Sequence, residues 1–468
     1  MEKTEAAALK EKLMPTAKNG WTRLSDGEDA KIYEFSEGYK DFMTRCKTER
    51  EVAAFAEAKL KQAGFRKFSP GEKLSAGDRV YRVNRGKAVL AAVIGSEDIA
   101  NGVDISAAHI DSPRLDLKQH PLYEDSELAL FKTHYYGGIK KYQWPAIPLC
   151  LHGVVIKSDG SAVEINIGEN EGDPQFVVTD LLPHLGREQS KRPLSEGIKG
   201  EELNILVGSR PFNNDSESEQ IKLNILNILY EKYGITDRDF VTAELEAVPA
   251  FPPVDIGFDR SLIGAYGHDD RVCAYPVLMG ILSCKSPKRT AVAVLTDKEE
   301  IGSDGNTGLN SSYMKYFIYD LAEALGANGR DVLTGSRCLS ADVNAAFDPT
   351  FSDPFERRNA SFINYGTVLT KYTGAGGKSS TSDAGAEFVS EICRIMDRND
   401  VVWQTGELGK VDVGGGGTVA KYVAALNVDV IDLGVPVLSM HSPFEVISKL
   451  DLYMTLRAVE AFWASERD

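Results

Sequence analysis

Histidine and acidic residues follow several apolar runs of the sequence, at the points where buried strands are expected to end. A further acidic pair stands just before a predicted helix. The full set is His109, Asp111, Asp269, Asp270, Glu299, Glu300, Asp342 and His441. In open α/β sheets, ligands bind beyond the carboxyl ends of the strands. We therefore expect these side chains to gather at one edge of one sheet.

Carboxylates and imidazoles gathered in this way would repel one another and lose hydration, at a cost on the order of several kcal/mol each. A divalent metal ion offsets that cost. Histidine nitrogen combined with carboxylate oxygen suits Zn²⁺, and also Mn²⁺ or Co²⁺. A carboxylate that bridges two ions about 3.5–4 Å apart is the usual centre of a two-metal hydrolytic site. The residue set therefore predicts a metal site of this kind.

Each motif has a simpler interpretation when it is taken alone. A histidine that follows a strand, such as His109, is more often a structural hydrogen-bonding residue than a ligand. The acidic pair at 299–300 could belong to a solvated loop, and the 269–271 stretch could simply be the cap of a helix. Asp342 could be a turn residue at the end of a strand. Because so many coincidences in one chain are improbable, we favour the joint interpretation as a metal site.

The elements that must position these residues alternate between strands and helices. The helix predicted at 36–63 would take Ser36 as its N-cap and stop at Gly64. Such alternation implies a mostly parallel sheet covered on both faces. Buried strands are predicted at 89–94, 105–108, 291–295, 338–339 and 428–438, and further helices at 272–284, 310–325, 382–397 and 443–464.

The stretch from 113 to 252 has a different texture. Helical periodicity fades, strand-like pieces occur at 149–156 and 162–167, and polar stretches surround them. We interpret 113–252 as a strand-rich domain inserted into a discontinuous catalytic domain made of 1–112 and 253–468. The predicted fold class is α/β, with a doubly wound, mostly parallel sheet in the catalytic domain.

The charge balance excludes several classes of partner. The 468 residues include 53 Lys and Arg against 69 Asp and Glu, which gives a net charge of −16. Nucleic-acid binding normally needs a basic footprint, and so does docking on anionic lipid. The sequence contains no apolar stretch of the roughly 20 residues that span a bilayer, and no secretory signal. Six scattered cysteines predict free thiols in a reducing compartment, so we expect a cytoplasmic protein.

Seven short motifs occur along the chain, and together they resemble the aspartyl aminopeptidase family of co-catalytic metallo-aminopeptidases. The resemblance covers nearly the whole chain. It implies that His109 and Asp342 hold one metal ion, that Glu300 and His441 hold the other, and that Asp269 bridges the two. The motifs are KTERE at 47–51, AHIDSP at 108–113, IPLCLH at 147–152, DDR at 269–271, DKEEIG at 297–302, SAD at 340–342 and MHS at 440–442.

The same resemblance makes Glu299 the general base and Asp111 the residue that orients His109. Physical reasoning agrees with both roles. A carboxylate that accepts the imidazole N–H fixes the tautomer of the ring and raises its basicity. Glu299 cannot easily be a ligand when its neighbour Glu300 is one, but it can take a proton from metal-activated water and pass it to the leaving amine.

The resemblance also implies roles outside the metal cluster. His152 would reach the active site of a neighbouring subunit and stabilise the oxyanion, although a histidine there is ordinarily a core or interface residue. The insertion would then be a dimerisation element of a homo-oligomer, and members of the resembled family form tetrahedral dodecamers. Lys371 would face the substrate's side-chain pocket, unless it is a solvated strand lysine. The glycines at 414–417 are predicted to line the cleft, because glycine permits close approach.

The predicted function is that of a dinuclear-metal aminopeptidase, which hydrolyses the N-terminal residue from short peptides. The stretch at 374–380 departs from the Asn-Gln-Arg-Tyr-like stretch of aspartyl-specific members, so a preference for acidic residues is not implied. Alternatives are a dinuclear carboxypeptidase or deacetylase on the same scaffold, or a non-catalytic assembly shell. An intact Glu299 argues against the shell, which has no physical need for a base.

Overall fold

The computed structural model describes residues 4–14, 17–213 and 217–466. Its α-helices are α1 (Glu5–Leu13), α2 (Glu28–Arg45), α3 (Glu49–Gln62), α4 (Gln220–Tyr233), α5 (His268–Ser283), α6 (Tyr313–Ala324), α7 (Gly329–Thr334), α8 (Ala386–Arg398), α9 (Ala420–Ala424) and α10 (Lys449–Ala464). Its strands are β1 (Arg66–Lys67), β2 (Arg79–Asn84), β3 (Ala88–Val93), β4 (Val103–His109), β5 (Arg114–Asp125), β6 (Leu128–Tyr136), β7 (Leu149–Ile156), β8 (Ala162–Ile167), β9 (Val177–Val178), β10 (Ile205–Gly208), β11 (Ala243–Pro249), β12 (Val254–Ile256), β13 (Leu262–Ala265), β14 (Thr290–Thr296), β15 (Arg337–Ser340), β16 (Asn344–Ala345), β17 (Thr367–Thr370), β18 (Trp403–Thr405), β19 (Asp429–Gly434), β20 (Pro436–Leu438) and β21 (Glu445–Ser448). None of these described helices combines the length and the apolar character needed to cross a membrane. All six cysteines are free, as predicted.

A nine-stranded sheet with the order β1-β2-β3-β14-β4-β15-β19-β17-β18 supplies the strands that end at or shortly before four predicted site residues, namely His109, Glu299, Glu300 and Asp342. Its central strands β14, β4, β15 and β19 run parallel to one another. In register, Thr296 pairs with His109, and Ser340 pairs with both Ala107 and Asp432. The carboxyl ends of these four strands therefore meet at the same edge.

The central strands are apolar runs that are buried on both faces. Every residue of β3, β4 and β14 is buried, as expected of strands covered on two sides. Alternate side chains belong to two separate apolar clusters. Ala91 and Ala293 join the cluster that contains α5 and α10, whereas Leu90 and Val294 join the cluster that contains α6 and α7. Helices thus pack against both faces of this sheet, and the structure is of the mixed α/β kind.

A second sheet, with seven strands in the order β8-β7-β11-β5-β6-β10-β9, lies entirely between Arg114 and Pro249. Strands β7 and β8 coincide with the predicted pieces at 149–156 and 162–167. Helix α4, which the sequence analysis did not predict, also belongs to this region. Its apolar residues occupy more than one side of the helix. Ile221 is buried, whereas Leu223, about 200° further round the helix axis, is 43% exposed, so the apolar residues form no single stripe. The remaining sheet has the order β12-β13-β21-β20-β16.

The prediction of a single helix at 36–63 is wrong, because this part of the chain forms two helices, α2 and α3. Ser36 is not an N-cap. It lies inside α2, where its hydroxyl donates to the carbonyl of Ile32 at 2.7 Å. Thr48 caps α3 instead, since its Oγ1 accepts from the Glu51 N–H while Glu51 Oε2 accepts from the Thr48 N–H. Apolar periodicity continues across the break because both helices pack on the same core.

A buried ion cluster fixes the amino ends of three neighbouring strands. Asp104 of β4 is 1% exposed and Arg337 of β15 is fully buried. Asp104 Oδ1 accepts from Arg337 Nε at 2.9 Å and from Arg289 Nε, just before β14, at 3.0 Å. Arg337 also pairs with Glu391, whereas Arg289 pairs with Asp104 alone among the described carboxylates, and buried charges are tolerated only when they are paired.

We predict that Asp104→Asn destabilises the protein by about 3–5 kcal/mol, because it leaves buried guanidinium charge without its carboxylate. Asp41→Asn is the matched control, since its partner Arg45 is 64% exposed and such pairs contribute at most about 1 kcal/mol. Urea unfolding followed by circular dichroism measures both effects. Equal unfolding midpoints for the two variants would contradict the prediction.

Candidate metal centre

The predicted site residues converge at the carboxyl edge of the nine-stranded sheet. His109 is the last residue of β4, and Asp342 lies two residues beyond β15. The acidic pair at 299–300 belongs to a short 3₁₀ turn that follows β14. His441 follows β20 after two intervening residues, and Asp269 lies in the first turn of α5. Five separate chain segments thus supply one cluster.

Asp269 lies at the centre of this cluster, and each of its carboxylate oxygens faces a different histidine. Oδ1 lies 3.0 Å from His109 Nε2, and Oδ2 lies 3.1 Å from His441 Nε2. Beyond His109, its Nε2 is 3.9 Å from Asp342 Oδ1. Beyond His441, its Nε2 is 3.5 Å from Glu300 Oε2. The arrangement has two halves that share Asp269.

The chemistry of the donor atoms fits divalent metal ions. Ligand atoms of His109, Asp269 and Glu300 lie within 4.8 Å of one another, and so do those of His109, Asp270 and Asp342. Both carboxylate oxygens of Asp270 and Oε1 of Glu300 are buried without a hydrogen-bond partner among the described residues. Such acceptors are normally satisfied. Asp270 belongs to the acidic cluster predicted from the sequence, which assigned it no role.

Burial, followed by the charged neighbours, shifts the pKa values of the groups in this cluster. Burial raises the pKa of the Glu299 carboxyl to about 7, and it raises the pKa of Glu300 well above its ordinary value. Burial also acts to raise the pKa of Asp269, but the hydrogen bonds to His109 and His441 outweigh it and hold that pKa below the ordinary range. Although burial favours its neutral ring, His441 has a pKa raised to about 11, because Asp269 and Glu300 face it. The cluster therefore attracts positive charge.

Asp111 connects the end of β4 to the turn that follows β14. Its backbone carbonyl accepts from His109 Nδ1 at 3.0 Å, and its Oδ1 lies 3.3 Å from the same nitrogen. Oδ1 also accepts from the backbone N–H of Glu299 at 3.1 Å. Its Oδ2 accepts from the backbone N–H of Glu300 at 3.2 Å. The carboxylate is fully buried, so water does not compete for these bonds. Asp111 therefore fixes the orientation of His109 together with the turn that carries both glutamates.

Glu445 makes a similar connection on the other side of the cluster, and the sequence analysis missed it. Its Oε1 accepts from the backbone N–H of His441 at 2.6 Å, and its Oε2 accepts from the backbone N–H of Asp269 at 3.1 Å. Glu445 is 1% exposed, and burial raises its pKa to about 8. It is the first residue of β21, within the stretch that was predicted as helix, so no sequence signal set it apart.

The cluster opens into a cleft of about 460 Å³. Glu299, Asp269 and His441 line it, and the glycines at 415–417 line it as well, in agreement with the prediction for the 414–417 stretch. The described residues that line this cleft do not include Lys371. Its Nζ lies 3.4 Å from Asp383 Oδ1, and its side chain is 46% exposed. The role of Lys371 in a substrate pocket stays a prediction.

His152 lies outside the cleft, on β7 of the seven-stranded sheet. Its ring is 1% exposed and stands between two carboxylates. Nδ1 lies 2.7 Å from Glu51 Oε1, and Nε2 lies 3.0 Å from Glu169 Oε2. Lys47 Nζ also contacts Glu169, at 2.6 Å. Within its own chain His152 joins α3 to the second sheet, and its role in a neighbouring subunit stays a prediction.

Known proteins are similar to this chain in both sequence and fold. Residues 42–463 match the family model described as aminopeptidase I zinc metalloprotease (M18). A probable M18 family aminopeptidase 1 of Clostridium acetobutylicum is 46% identical over 96% of this chain and 98% of its own length. The crystal structure of the M18 aminopeptidase from Thermotoga maritima is 46% identical, covers 96% of this chain and 99% of its own, and has a TM-score of 0.91. The mApe1 dodecamer of S. cerevisiae shares the fold at 18% identity and a TM-score of 0.74, over 92% of this chain and 96% of its own. This chain belongs to the M18 family, which includes the aspartyl aminopeptidases, and it is a metallo-aminopeptidase.

Proposed function

We propose that this aminopeptidase binds two divalent metal ions on either side of Asp269. His109 and Asp342 would hold one ion, and Glu300 and His441 would hold the other. The observation that carries the proposal is that the two oxygens of Asp269 face different histidines, at 3.0 and 3.1 Å. A carboxylate placed in this way is the usual bridge of a two-metal hydrolytic site.

Zinc is the metal that we propose for both positions. The family description names a zinc metalloprotease, and nitrogen with carboxylate oxygen is a donor set that Zn²⁺ accepts. The unpartnered buried oxygens of Asp270 and Glu300 support the presence of a cation, because buried acceptors are otherwise satisfied. Mn²⁺ and Co²⁺ take the same donors and would substitute.

Bound metal ions would polarise the scissile carbonyl and lower the pKa of an attacking water molecule. Glu299 lines the cleft beside Asp269 and would accept the proton of that water. It would then return the proton to the nitrogen of the leaving amine. The backbone carbonyl of Asp111, together with its carboxylate, would keep the Nδ1 proton on His109, which leaves the Nε2 lone pair free toward the centre of the cluster.

The acidic character of the cleft supports removal of N-terminal residues from peptides. Asp269, Glu299 and Asp342 all line the cleft, and a protonated or metal-coordinated amino terminus would be attracted to them. A peptide with a blocked amino group cannot make this interaction. We propose short peptides with a free amino terminus as the substrates.

We also propose an assembly for the chain. Residues 1–112 and 253–468 would form the doubly wound catalytic domain, and 113–252 would be an inserted oligomerisation domain. Exposed apolar and aromatic side chains on α4 of the insertion support this assembly, because such surface is available for contact with another subunit. Leu223, Ile228 and Tyr230 are 43%, 49% and 60% exposed. The distant relative mApe1 is a dodecamer.

The general base is tested by Glu299→Gln. We expect kcat on a free-amine peptide amide to fall by about 10²–10⁴-fold, because glutamine cannot accept the proton of water. Zinc content, measured by inductively coupled plasma mass spectrometry, should stay at the wild-type value. Asp304→Asn is the matched control, since it removes the same charge from the same loop at an exposed position. A Glu299→Gln enzyme with a near-normal rate would refute the assignment.

The assembly is tested by analytical ultracentrifugation of the full chain at its working concentration. We expect a sedimenting species whose mass is a multiple of the 51.2 kDa chain. Replacing Ile228 and Tyr230 with polar residues should shift the distribution toward smaller species, because it removes apolar contact area. A wild-type sample that sediments only as a monomer would rule out the oligomer.

A further inference from the structure

The end of β6 brings the second sheet into the candidate metal centre of the same chain. Tyr136 is the last residue of β6 and is 8% exposed. Its hydroxyl donates to Asp111 Oδ2 at 2.8 Å. Two residues later, the backbone carbonyl of Gly138 lies 2.8 Å from His441 Nδ1, where it accepts a hydrogen bond from the ring. The segment 136–138 therefore contacts both halves of the cluster.

Both contacts act on the Nδ1 side of a histidine ring, directly for His441 and through Asp111 for His109. Nε2 of His109 and Nε2 of His441 face Asp269, so these are the atoms available to a metal ion. Nδ1 of His441 donates directly to the carbonyl of Gly138. Nδ1 of His109 donates to the backbone carbonyl of Asp111 at 3.0 Å and lies 3.3 Å from the carboxylate of the same residue, which Tyr136 holds in place. A proton kept on Nδ1 leaves the lone pair on Nε2.

The two glycines of the segment allow this close approach. A Cβ on Gly137 would lie 3.2 Å from Glu300 Oε2. The φ of Gly137 is +74°, a value that residues with a side chain rarely adopt. A Cβ on Gly138 would lie 3.3 Å from His441 Nδ1. A larger residue at either position would press on a predicted ligand. The backbone of the segment is thus part of the wall around the metal ligands.

Buried charge on the other side fixes the ring of Tyr136. The guanidinium carbon of Arg114 lies 3.8 Å from the centre of this ring. Arg114 Nη1 donates to Glu49 Oε2 at 3.2 Å, and Glu49 is fully buried in the first turn of α3. Because the aromatic face is held by a buried cation, the hydroxyl has one stable direction, toward Asp111.

We propose that the segment 136–138 is a positioning element for both predicted histidine ligands, and that it thereby sets the metal affinity of the site. Tyr136 acts through Asp111 on His109, and Gly138 acts directly on His441. The inference rests on the proposed two-metal site. It gives the inserted sheet a role in the active site of its own chain, besides the role in oligomerisation.

The test compares Tyr136→Phe with Tyr266→Phe. Tyr266 is a matched control because it is also buried and also lies beside an arginine. Among the described residues, its hydroxyl donates only to the backbone carbonyl of Pro113, at 3.0 Å. Zinc affinity is measured by competition with a chromogenic chelator, and thermal unfolding is measured in excess EDTA. We expect Tyr136→Phe to weaken zinc binding by about 10–100-fold, the usual effect of removing a partner of a ligand. Tyr266→Phe should bind zinc as the wild type does, and the metal-free midpoints of the two variants should be similar.

Gly138→Ala is a second variant that acts on the other half of the site. Its Cβ would displace His441, so we expect a similar loss of zinc affinity with normal affinity in Gly197→Ala, a glycine whose Cβ would meet no side chain. Equal zinc affinity in Tyr136→Phe, Tyr266→Phe and wild type would overturn the inference while leaving the two-metal site intact. A wild-type chain that binds no zinc would overturn the proposed function, and the inference with it.

Discussion

The crowding of buried carboxylates around Asp269 is the constraint on which the rest of the structure depends. Asp269, Asp270 and Asp342 are all buried, and they share a small volume with Glu300 and two histidine rings. Like charges removed from water cost several kcal/mol each, so this arrangement needs a compensating cation. A chain that maintains it without such an ion would give up stability for no physical gain. The geometry is therefore explained by metal binding.

The fold supplies the rigidity that such a cluster needs. Four parallel strands end in register, which brings residues far apart in sequence to one edge. Two buried carboxylates then act on the backbone, since Asp111 accepts from the N–H groups of the 299–300 turn and Glu445 accepts from those of Asp269 and His441. The positions of the proposed metal ligands are thus set through their main chain as well as through their side chains. The buried pairing of Asp104 with Arg337 holds the opposite ends of the same strands.

Much of the cluster could be predicted because the signals are local. His109 and Asp342 follow apolar runs, and the rule that ligands bind at the carboxyl ends of strands converts that position into proximity. Glu445 and Tyr136 could not be found in this way, because an acidic residue and a tyrosine within strands look like any others until the pairing of strands is known. The same limit applies to helices. The break before α3 leaves the apolar periodicity intact, and only the Thr48–Glu51 capping pattern marks it.

The central claim is that two ions flank Asp269, and X-ray anomalous scattering tests it most directly. Crystals of the enzyme grown with Zn²⁺ would be measured on both sides of the zinc absorption edge. The account predicts two anomalous peaks about 3.5–4 Å apart, one beside His109 and Asp342 and the other beside Glu300 and His441. A single peak, or peaks that do not contact Asp269, would contradict it.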